Sequence, residues 1–210
     1  MRHMRRMYRK AVRGLLPAAI TASSIAVFLG STQAALAAAC PPPPGVVHPF
    51  LPWDDPIDYV PVTNGSFAPI KHGSKELPWT LSGDASLVPA NEPFLGGGDD
   101  QALYLGEGGT AVSACTTAPH IASTVRFFAR SVGSASGLLH VEVLVNDGKN
   151  GILDGGLISA GSDWAPTDVI VVPWAKPLKG AVDLRVRLTA VGTGAAFEID
   201  DVYIDPCKSR

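Results

Sequence analysis

Short apolar runs separated by turn-forming residues constrain the fold of this chain more than any other feature. From residue 79 to residue 204 the runs recur at intervals of about ten residues, with Gly, Asn, Asp and Pro between them. Within the longer runs Val125 and Phe127 alternate with Arg126 and Phe128, and strand side chains alternate between two faces. Each such strand therefore buries one face, and the pattern predicts an all-β domain of two antiparallel sheets packed face to face.

Nine strands are predicted from these runs. They are Trp79–Leu81, Ala85–Val88, Ala102–Leu105, Thr110–Ser113, Ser123–Ser131, Leu138–Asn146, Asp168–Pro173, Val182–Ala190 and Ala196–Ile204. Residues 133–137, GSASG, are predicted to form a turn that joins the strands on either side.

The first 39 residues have the layout of a secretory signal, in which a basic stretch is followed by an apolar stretch and then by small residues. We assign residues 1–39 to a signal peptide, place the mature start near Ala38 or Cys40, and expect a secreted, extracellular protein. The apolar part contains Pro17 and is shorter than the ~20 residues of a membrane span, and no other segment is predicted to cross a membrane.

The net charge of the chain argues against nucleic acid and anionic lipid as binding partners. The full chain has 17 Lys and Arg against 19 Asp and Glu, and six of the basic residues precede Cys40, so the remainder has a net charge of about −8. Such a chain is not expected to bind nucleic acid or anionic lipid through a general field. Its length suits one domain.

Residues 40–63 are rich in proline, which excludes a helix or a central strand. Phe50, Leu51, Trp53 and Tyr59 are too apolar for a solvated linker, so we predict an N-terminal arm that lies on a domain of residues 64–207.

Three cysteines, Cys40, Cys115 and Cys207, remain in the exported chain, which predicts one disulfide and one free thiol. Spacing does not choose the pair. In an alternative that we favour less, Cys40 is acylated as in a lipoprotein and Cys115 pairs with Cys207. The leucine expected three positions before such a cysteine lies one place too early, at Leu36.

Several segments, taken in order, resemble galactose-binding-like jelly-roll sandwiches, which include carbohydrate-binding modules of secreted glycanases. The segments are NGSF (64–67), PWTLSGDASLV (78–88), ALYLGEGGTAVS (102–113), TVRFFARS (124–131), HVEVLV (140–145), SAGSDWAPTDV (159–169) and EIDDVYIDP (198–206). The likeness spans nearly the whole mature chain and is greatest to small stand-alone exported proteins of unassigned role. It implies a jelly-roll β-sandwich, and it implies the disulfide Cys40–Cys115, with the other pairs left open.

The resemblance also implies a structural calcium ion between the N-terminal segment and the last strand. By position, Asn64 or Ser66 would lie near the metal, and Asp200 or Asp201 would supply a carboxylate. Where the relatives have Glu after Phe67, this chain has Ala68. The alternative for the acid pair is that one aspartate faces solvent while the other accepts backbone N–H bonds at a β-bulge or pairs with an arginine.

A polar sheet face is the candidate ligand site. The resemblance implies that such a face forms a sugar groove, with aromatic planes for stacking and fixed polar groups for hydroxyls. The candidate residues are Arg126, Phe128, His140, Glu142, Arg185 and Arg187, with Trp174 as an exposed stacking platform. The alternative is ordinary cross-strand ion pairing on an exposed sheet.

Catalytic motifs are not found. The chain has no G-x-S-x-G elbow, and neither His72 nor Cys115 has a second soft ligand nearby. The sequence therefore predicts a non-catalytic carbohydrate-binding module. The rival hypothesis is a cell-surface structural or adhesion protein that binds no sugar and engages a protein partner through its arm or free thiol.

Overall fold

A computed structural model describes residues 40, 45–70, 79–96, 100–118, 124–146, 151–173 and 182–205. By its internal contacts the chain divides into Met1–Ala38 and Ala39–Arg210, and every described residue belongs to the second unit. The predictions made for residues 1–39, Trp174 and Cys207 lie outside the described residues. Within these ranges no helix has the length and hydropathy that a bilayer span needs.

The described residues form one 3-10 helix, Leu51–Trp53, and thirteen β-strands. The strands are β1 (Val60–Pro61), β2 (Thr80–Ser82), β3 (Ala85–Val88), β4 (Ala102–Leu105), β5 (Thr110–Val112), β6 (Thr116–Ala118), β7 (Thr124–Ser131), β8 (Leu138–Val145), β9 (Ile152–Ile158), β10 (Ala165–Pro166), β11 (Ile170–Val171), β12 (Val182–Val191) and β13 (Phe197–Ile204). Each of the nine predicted strands overlaps one of these. Strands β1, β6, β9 and β10 were not predicted.

Two antiparallel sheets make up the fold. The seven-stranded sheet has the order β10-β7-β13-β4-β3, with β1 added to β13 and β11 added to β7. The six-stranded sheet has the order β2-β5-β12-β8-β9, with β6 added to β12. The prediction of an all-β, two-sheet antiparallel jelly-roll sandwich is therefore confirmed. The turn at residues 133–137 leads from β7 in one sheet to β8 in the other and does not close a hairpin.

The main core lies between the sheets and follows from the strand alternation. Val125 and Phe127 of β7 and Phe197 and Ile199 of β13 face it from one side. Alternate residues of β8 and β12 face it from the other, as the pattern BiBiBiB along most of β8 indicates. Burial of these side chains stabilises the folded state. The opposite face of each sheet lies outside this core.

The N-terminal arm, which we define as residues 45–61, covers the outward face of the seven-stranded sheet. Strand β1 pairs with the end of β13, and Val47 bridges Tyr59 within the arm. Phe50 and Tyr59 of the arm are fully buried together with Phe128 of β7, whereas Leu51 is 57% exposed. A second apolar cluster thus lies outside the sandwich core, and we call this covered surface the arm face.

After the arm, the turn at residues 62–67 packs against an irregularity in β13. The register of β13 against β7 shifts between Asp200 and Tyr203, and Asp201 has a φ of 49°. Val62 and Gly65 exchange backbone hydrogen bonds with Val202, and a Cβ on Gly65 would lie 2.6 Å from the Val202 carbonyl oxygen. Glycine is therefore needed at this point because the two backbones approach so closely.

Candidate functional site

The predicted ligand residues do not share one surface. Arg126 and Phe128 lie on β7 in the seven-stranded sheet, where they are buried beneath the arm. His140 and Glu142 lie on β8 in the six-stranded sheet. The prediction of a single face was wrong because β7 and β8 are consecutive in sequence but belong to different sheets.

The outward surface of the six-stranded sheet carries the remaining predicted residues, and we call it the polar face. Neighbouring strands place Arg187 beside Glu142 and Thr189 beside His140. Strand β9 places Asp154 beside Glu142. The alternate residues of β8 and β12 fill the core, so these side chains all project away from it.

A continuous polar network runs across this face. Arg187 donates from Nε and Nη2 to the two carboxylate oxygens of Glu142, each at 2.6 Å. His140 Nδ1 lies 3.8 Å from Glu142 Oε2, and His140 Nε2 lies 3.0 Å from Asp154 Oδ1. The bidentate Arg–carboxylate geometry fixes the planes of both side chains.

Hydrogen bonds within the network stabilise the charged forms of Asp154 and Arg187. The hydrogen bond from His140, followed by one from the Gly156 backbone N–H, lowers the pKa of the Asp154 carboxyl below its ordinary value. The hydrogen bond to Glu142 raises the pKa of the Arg187 guanidinium. All three hydrogen bonds stabilise the charged form of the group whose pKa they shift.

Arg185 lies on the same strand and is held by the segment that leads to Cys115. Its Nη1 donates to the Ser113 carbonyl oxygen at 3.1 Å, and the Ser113 hydroxyl accepts a hydrogen bond from the Val186 N–H. Cys115 forms the predicted disulfide with Cys40, with Cα atoms 5.3 Å apart. The disulfide therefore attaches the chain, at a point five residues before the arm, to the segment that also holds Arg185.

The described strands of the polar face carry no Phe, Trp or Tyr. Its most exposed apolar side chains are Leu157 and Ile152 of β9, at 55% and 51%, followed by Val191 of β12 at 39%. Trp79 is buried and donates its indole N–H to the Asn64 carbonyl oxygen. The predicted stacking residue Trp174 lies outside the described part of the chain.

The arm face holds a buried ion pair that the sequence did not reveal. Arg126 donates from Nη1 to Asp55 and from Nε to the Thr167 carbonyl oxygen, and the Arg126 and Asp55 side chains are each 9% exposed. Tyr59 donates its hydroxyl to the same Asp55 carboxylate at 2.9 Å. Burial and the neighbouring Asp55 raise the pKa of Tyr59.

Aromatic rings surround this ion pair. Phe50 packs against Tyr59, Phe128 and Tyr203 with ring centroids 5.0, 5.3 and 5.6 Å apart. The Arg126 guanidinium lies 4.4 Å from the centroid of the Phe50 ring. Only the unusual apolar content of the arm indicated this surface in the sequence, because the partners Asp55 and Arg126 are 71 residues apart.

The acid pair of β13 has two different environments. Asp200 is fully buried and accepts N–H bonds from Asp201 at 2.8 Å and from Glu92 at 3.3 Å. Asp201 is partly exposed, and its carboxylate accepts a hydrogen bond from Tyr203, whose pKa is raised by burial and then by Asp201. A buried carboxylate bonded to backbone N–H groups at a β-bulge is the arrangement that the second sequence hypothesis described.

The predicted calcium ligands fit the ion poorly as they lie. Calcium takes six to eight oxygens, and the set offers two carboxylates, both of which already accept hydrogen bonds. The Asn64 carbonyl oxygen already accepts hydrogen bonds from the Trp79 indole N–H and the Phe67 backbone N–H. Within the described ranges no three His, Cys, Asp or Glu side chains converge as a metal site requires.

The two sheets and their connections define a jelly-roll β-sandwich in which the arm covers one outer face and not the other. Solved structures of carbohydrate-binding modules are similar to it. A family 61 module in complex with β-1,4-galactotriose is 18% identical, with 68% of this chain and 95% of that chain covered and a TM-score of 0.39. The xylan-binding CBM22-1 domain of Paenibacillus barcinonensis Xyn10C is 14% identical, with 63% and 87% covered and a TM-score of 0.40.

A family 11 module from Clostridium thermocellum, in complex with a β-1,3-1,4-mixed-linked tetrasaccharide, is also similar. It is 16% identical, with 60% of this chain and 82% of that chain covered and a TM-score of 0.34. No protein-family model matches the chain, and no curated protein matches it. At these identities and TM-scores the likeness does not indicate a ligand. Only the side chains of this chain can indicate one.

Proposed function

We propose that this protein is an exported, non-catalytic module that binds a carbohydrate through the polar face of its six-stranded sheet. The observation that supports the proposal is the network of Arg187, Glu142, His140 and Asp154 on an outer face that the arm does not cover. The signal-like N-terminus and the Cys40–Cys115 disulfide support export.

The chemistry of the network suits neighbouring sugar hydroxyls. Arg187 uses two of its five N–H donors on Glu142, so further donors remain for a ligand. Each carboxylate oxygen has a second lone pair that can accept a hydroxyl proton. Because the planes are already fixed by mutual bonding, less side-chain entropy is lost when a ligand binds.

The net charge and the exposed apolar area of the polar face restrict the kind of sugar that it can bind. Arg185 and Arg187 are offset by Glu142, Asp154 and Asp183, so the face has a small negative net charge and favours a neutral sugar over a uronic acid. Leu157 and Ile152 offer apolar contact to the C–H face of a ring in place of an aromatic plane. We therefore expect weak binding to each sugar unit and tighter binding to an extended polysaccharide that contacts several strands.

The same network supports a non-catalytic role. Hydrolysis of a glycosidic bond with two carboxyl groups needs one of them protonated. Here the pKa of Asp154 is lowered by His140, and Glu142 is paired with Arg187. The ionised form of Asp154 is stabilised and both Glu142 oxygens accept hydrogen bonds from Arg187, which suits recognition.

The experiment is a glycan array with a pull-down on insoluble polysaccharides, using the chain that starts at Cys40. We expect binding that falls at least ~10-fold in Glu142→Gln or Arg187→Lys, because each change removes a charge-assisted or bidentate bond. Arg130 and Glu198 form a matched control pair across β7 and β13, with side-chain exposures of 34% and 15% against 29% and 13% for Arg187 and Glu142. Binding that weakens equally in Arg130→Lys or Glu198→Gln contradicts the assignment to the polar face.

One observation favours the alternative function, a structural or adhesion protein of the cell surface. Arg187 and Glu142 satisfy each other in a bidentate pair, and the described strands there carry no Phe, Trp or Tyr. Clean absence of binding across both panels would support this alternative, and a protein partner would then be sought.

Calcium at the Asp200 corner stays a prediction of the sequence. A calcium ion there would have to displace the backbone N–H groups that already donate hydrogen bonds to Asp200. A rise in Tm when calcium is added to chelated protein, absent in Asp201→Asn, would support a metal. An unchanged Tm would favour the hydrogen-bonded arrangement.

A further inference from the structure

A small pocket opens at one side of the sandwich, between the edge strands β2 and β3. Leu81 of β2 and Leu87 of β3 line it, together with residues 67–70, which lead on from the turn after the arm. Its volume is about 90 Å³, well below the ~300 Å³ at which pockets for whole drug-sized ligands begin. The pocket therefore suits a single substituent of a ligand.

An aromatic pair forms the buried part of the pocket wall. Phe67 and Trp79 are 1% and 7% exposed, and their ring centroids lie 4.9 Å apart. The Trp79 indole N–H is already donated to the Asn64 carbonyl oxygen, so Trp79 offers a ligand only its apolar ring. Leu87 and Ile70, which also line the pocket, are 42% and 38% exposed. The pocket thus combines an apolar wall with access from solvent.

The turn that supplies Phe67 has an unusual backbone. Asn64 and Phe67 have φ values of 51° and 53°. Asparagine visits this left-handed region at small cost, whereas a bulky residue such as phenylalanine rarely does. Outliers of this kind persist only where the surrounding structure imposes them, and they cluster at ligand sites. This backbone accompanies the contact of Phe67 with Trp79, and it distinguishes the pocket from an ordinary gap between two edge strands.

Two amide side chains supply the polar groups of the pocket. Asn64 and Gln101 both line it, and within the described residues neither side-chain amide makes a hydrogen bond. Each amide offers a carbonyl acceptor and two N–H donors. None of the nine described residues that line the pocket is charged. The pocket therefore favours a neutral group that both donates and accepts hydrogen bonds.

We propose that this pocket binds the acetamido group of an N-acetylated sugar. The methyl of the group contacts Trp79 and Leu87, while its N–H and C=O pair with the side-chain amides of Asn64 and Gln101. A hydroxyl in the same position leaves the apolar wall unfilled, and a protonated amino group finds no carboxylate among the lining residues. The pocket is separate from the polar face, so this assignment does not depend on the binding proposed there.

The test is an NMR titration of the protein, labelled with heavy nitrogen, with N-acetylglucosamine. We expect the Trp79 indole N–H and the Gln101 side-chain amide signals to shift with a Kd of about 1–10 mM, because so few ligand atoms supply little binding energy. Glucose, which has a hydroxyl in place of the acetamido group, should bind at least ~10-fold more weakly.

Two variants remove one part of the pocket each. Leu87→Ala removes apolar contact and Gln101→Glu removes the N–H donors, so each should weaken binding of N-acetylglucosamine at least ~3-fold. Leu51→Ala is the matched control, because Leu51 is an exposed leucine of the arm, at 57%, and lies outside the pocket. It should bind as the unmodified protein does.

Several outcomes would overturn the assignment. Equal affinity for glucose and N-acetylglucosamine contradicts it, as does an affinity that neither pocket variant lowers. The backbone signals of His140 and Leu157 report on the polar face in the same titration. If only those signals shift, or if nothing shifts far above the expected Kd, the pocket does not bind the acetamido group. If the pocket signals shift while the polysaccharide panels stay blank, the pocket assignment holds and the function proposed for the polar face fails.

Discussion

The two outer faces of the sandwich carry similar ingredients and differ in what covers them. Each has a cross-strand Arg–Glu pair, Arg130–Glu198 on the seven-stranded sheet and Arg187–Glu142 on the six-stranded sheet. The seven-stranded sheet also presents Phe128 and Tyr203, and the arm buries them. The six-stranded sheet presents an open polar network. In this sandwich the face that carries the large aromatic side chains is the face that the arm covers.

The ion pairs of the two faces differ in how far their side chains are exposed to solvent. Asp55–Arg126 is enclosed, with both side chains 9% exposed, whereas Arg187 and Glu142 are 29% and 13% exposed. A buried charge that loses its partner is costly, and a more exposed one is solvated. The arm face is therefore a stability element, and the polar face can change its partners.

The first prediction tests this inequality directly. Asp55→Ala should lower the free energy of unfolding by about 3–5 kcal/mol, because Arg126 is left buried without its counter-ion. Glu142→Ala should lower it by only about 0–1 kcal/mol. Urea denaturation of both variants measures the difference. Equal losses would show that the arm does not seal its face from water.

The disulfide should matter next. Replacing Cys40 and Cys115 together by serine should cost about 2–4 kcal/mol, because the cross-link restricts a long loop in the unfolded chain. Hydrogen exchange at Val47 and Tyr59 of the arm should speed up more than exchange along β8. Cys207→Ser leaves the cross-link intact and serves as the control. Equal acceleration on both faces would contradict a role in holding the arm.

Much of the fold could be predicted because period-two alternation reports directly on strands with one buried face. Strands β7, β8 and β12 are long and alternate cleanly in sequence, and all were found; β13 was found as well, although a bulge interrupts its alternation after Asp200. Strand β9 was missed because Gly155 and Gly156 interrupt its pattern, where Gly156 has a φ of 87° and the register against β8 shifts. Strands β1 and β10 have two residues each, too few for a period to register.

The site could be predicted only in part. Alternation correctly separated the outward residues Arg126 and His140 from the core, but it does not say which sheet a strand joins. That choice depends on pairing between strands distant in sequence, such as β7 with β13. Asp55 was missed for the same reason, since local sequence does not reveal a partner 71 residues away.

Alkaline pH should destabilise the protein through the buried tyrosines of the arm face. The pKa values of Tyr59 and Tyr203 are raised, mainly by burial, so folding favours their neutral forms. Their contribution to stability is complete below the unfolded pKa of about 10 and is lost as the pH rises toward the folded values. Absorbance at alkaline pH should show these two tyrosines ionising only as the protein unfolds. In Tyr203→Phe the fall in stability above pH ~10 should be smaller, and an unchanged fall would exclude Tyr203 as its source.

Acid should act on the polar face, with the smallest effect of the series. The pKa of Asp154 is lowered, first by the hydrogen bond from His140, so its contribution is present above the unfolded pKa of about 3.9 and is lost as the pH falls through the folded value. Asp154 is 71% exposed, so global unfolding will barely register the change. Carbon NMR of the Asp154 carboxyl group should instead show its pKa rising toward the ordinary value in His140→Ala. If the titration is unchanged, His140 does not hold this carboxylate, and the network across the open face is broken at that point. The covered face would then respond to alkali while the open face showed no matching response to acid.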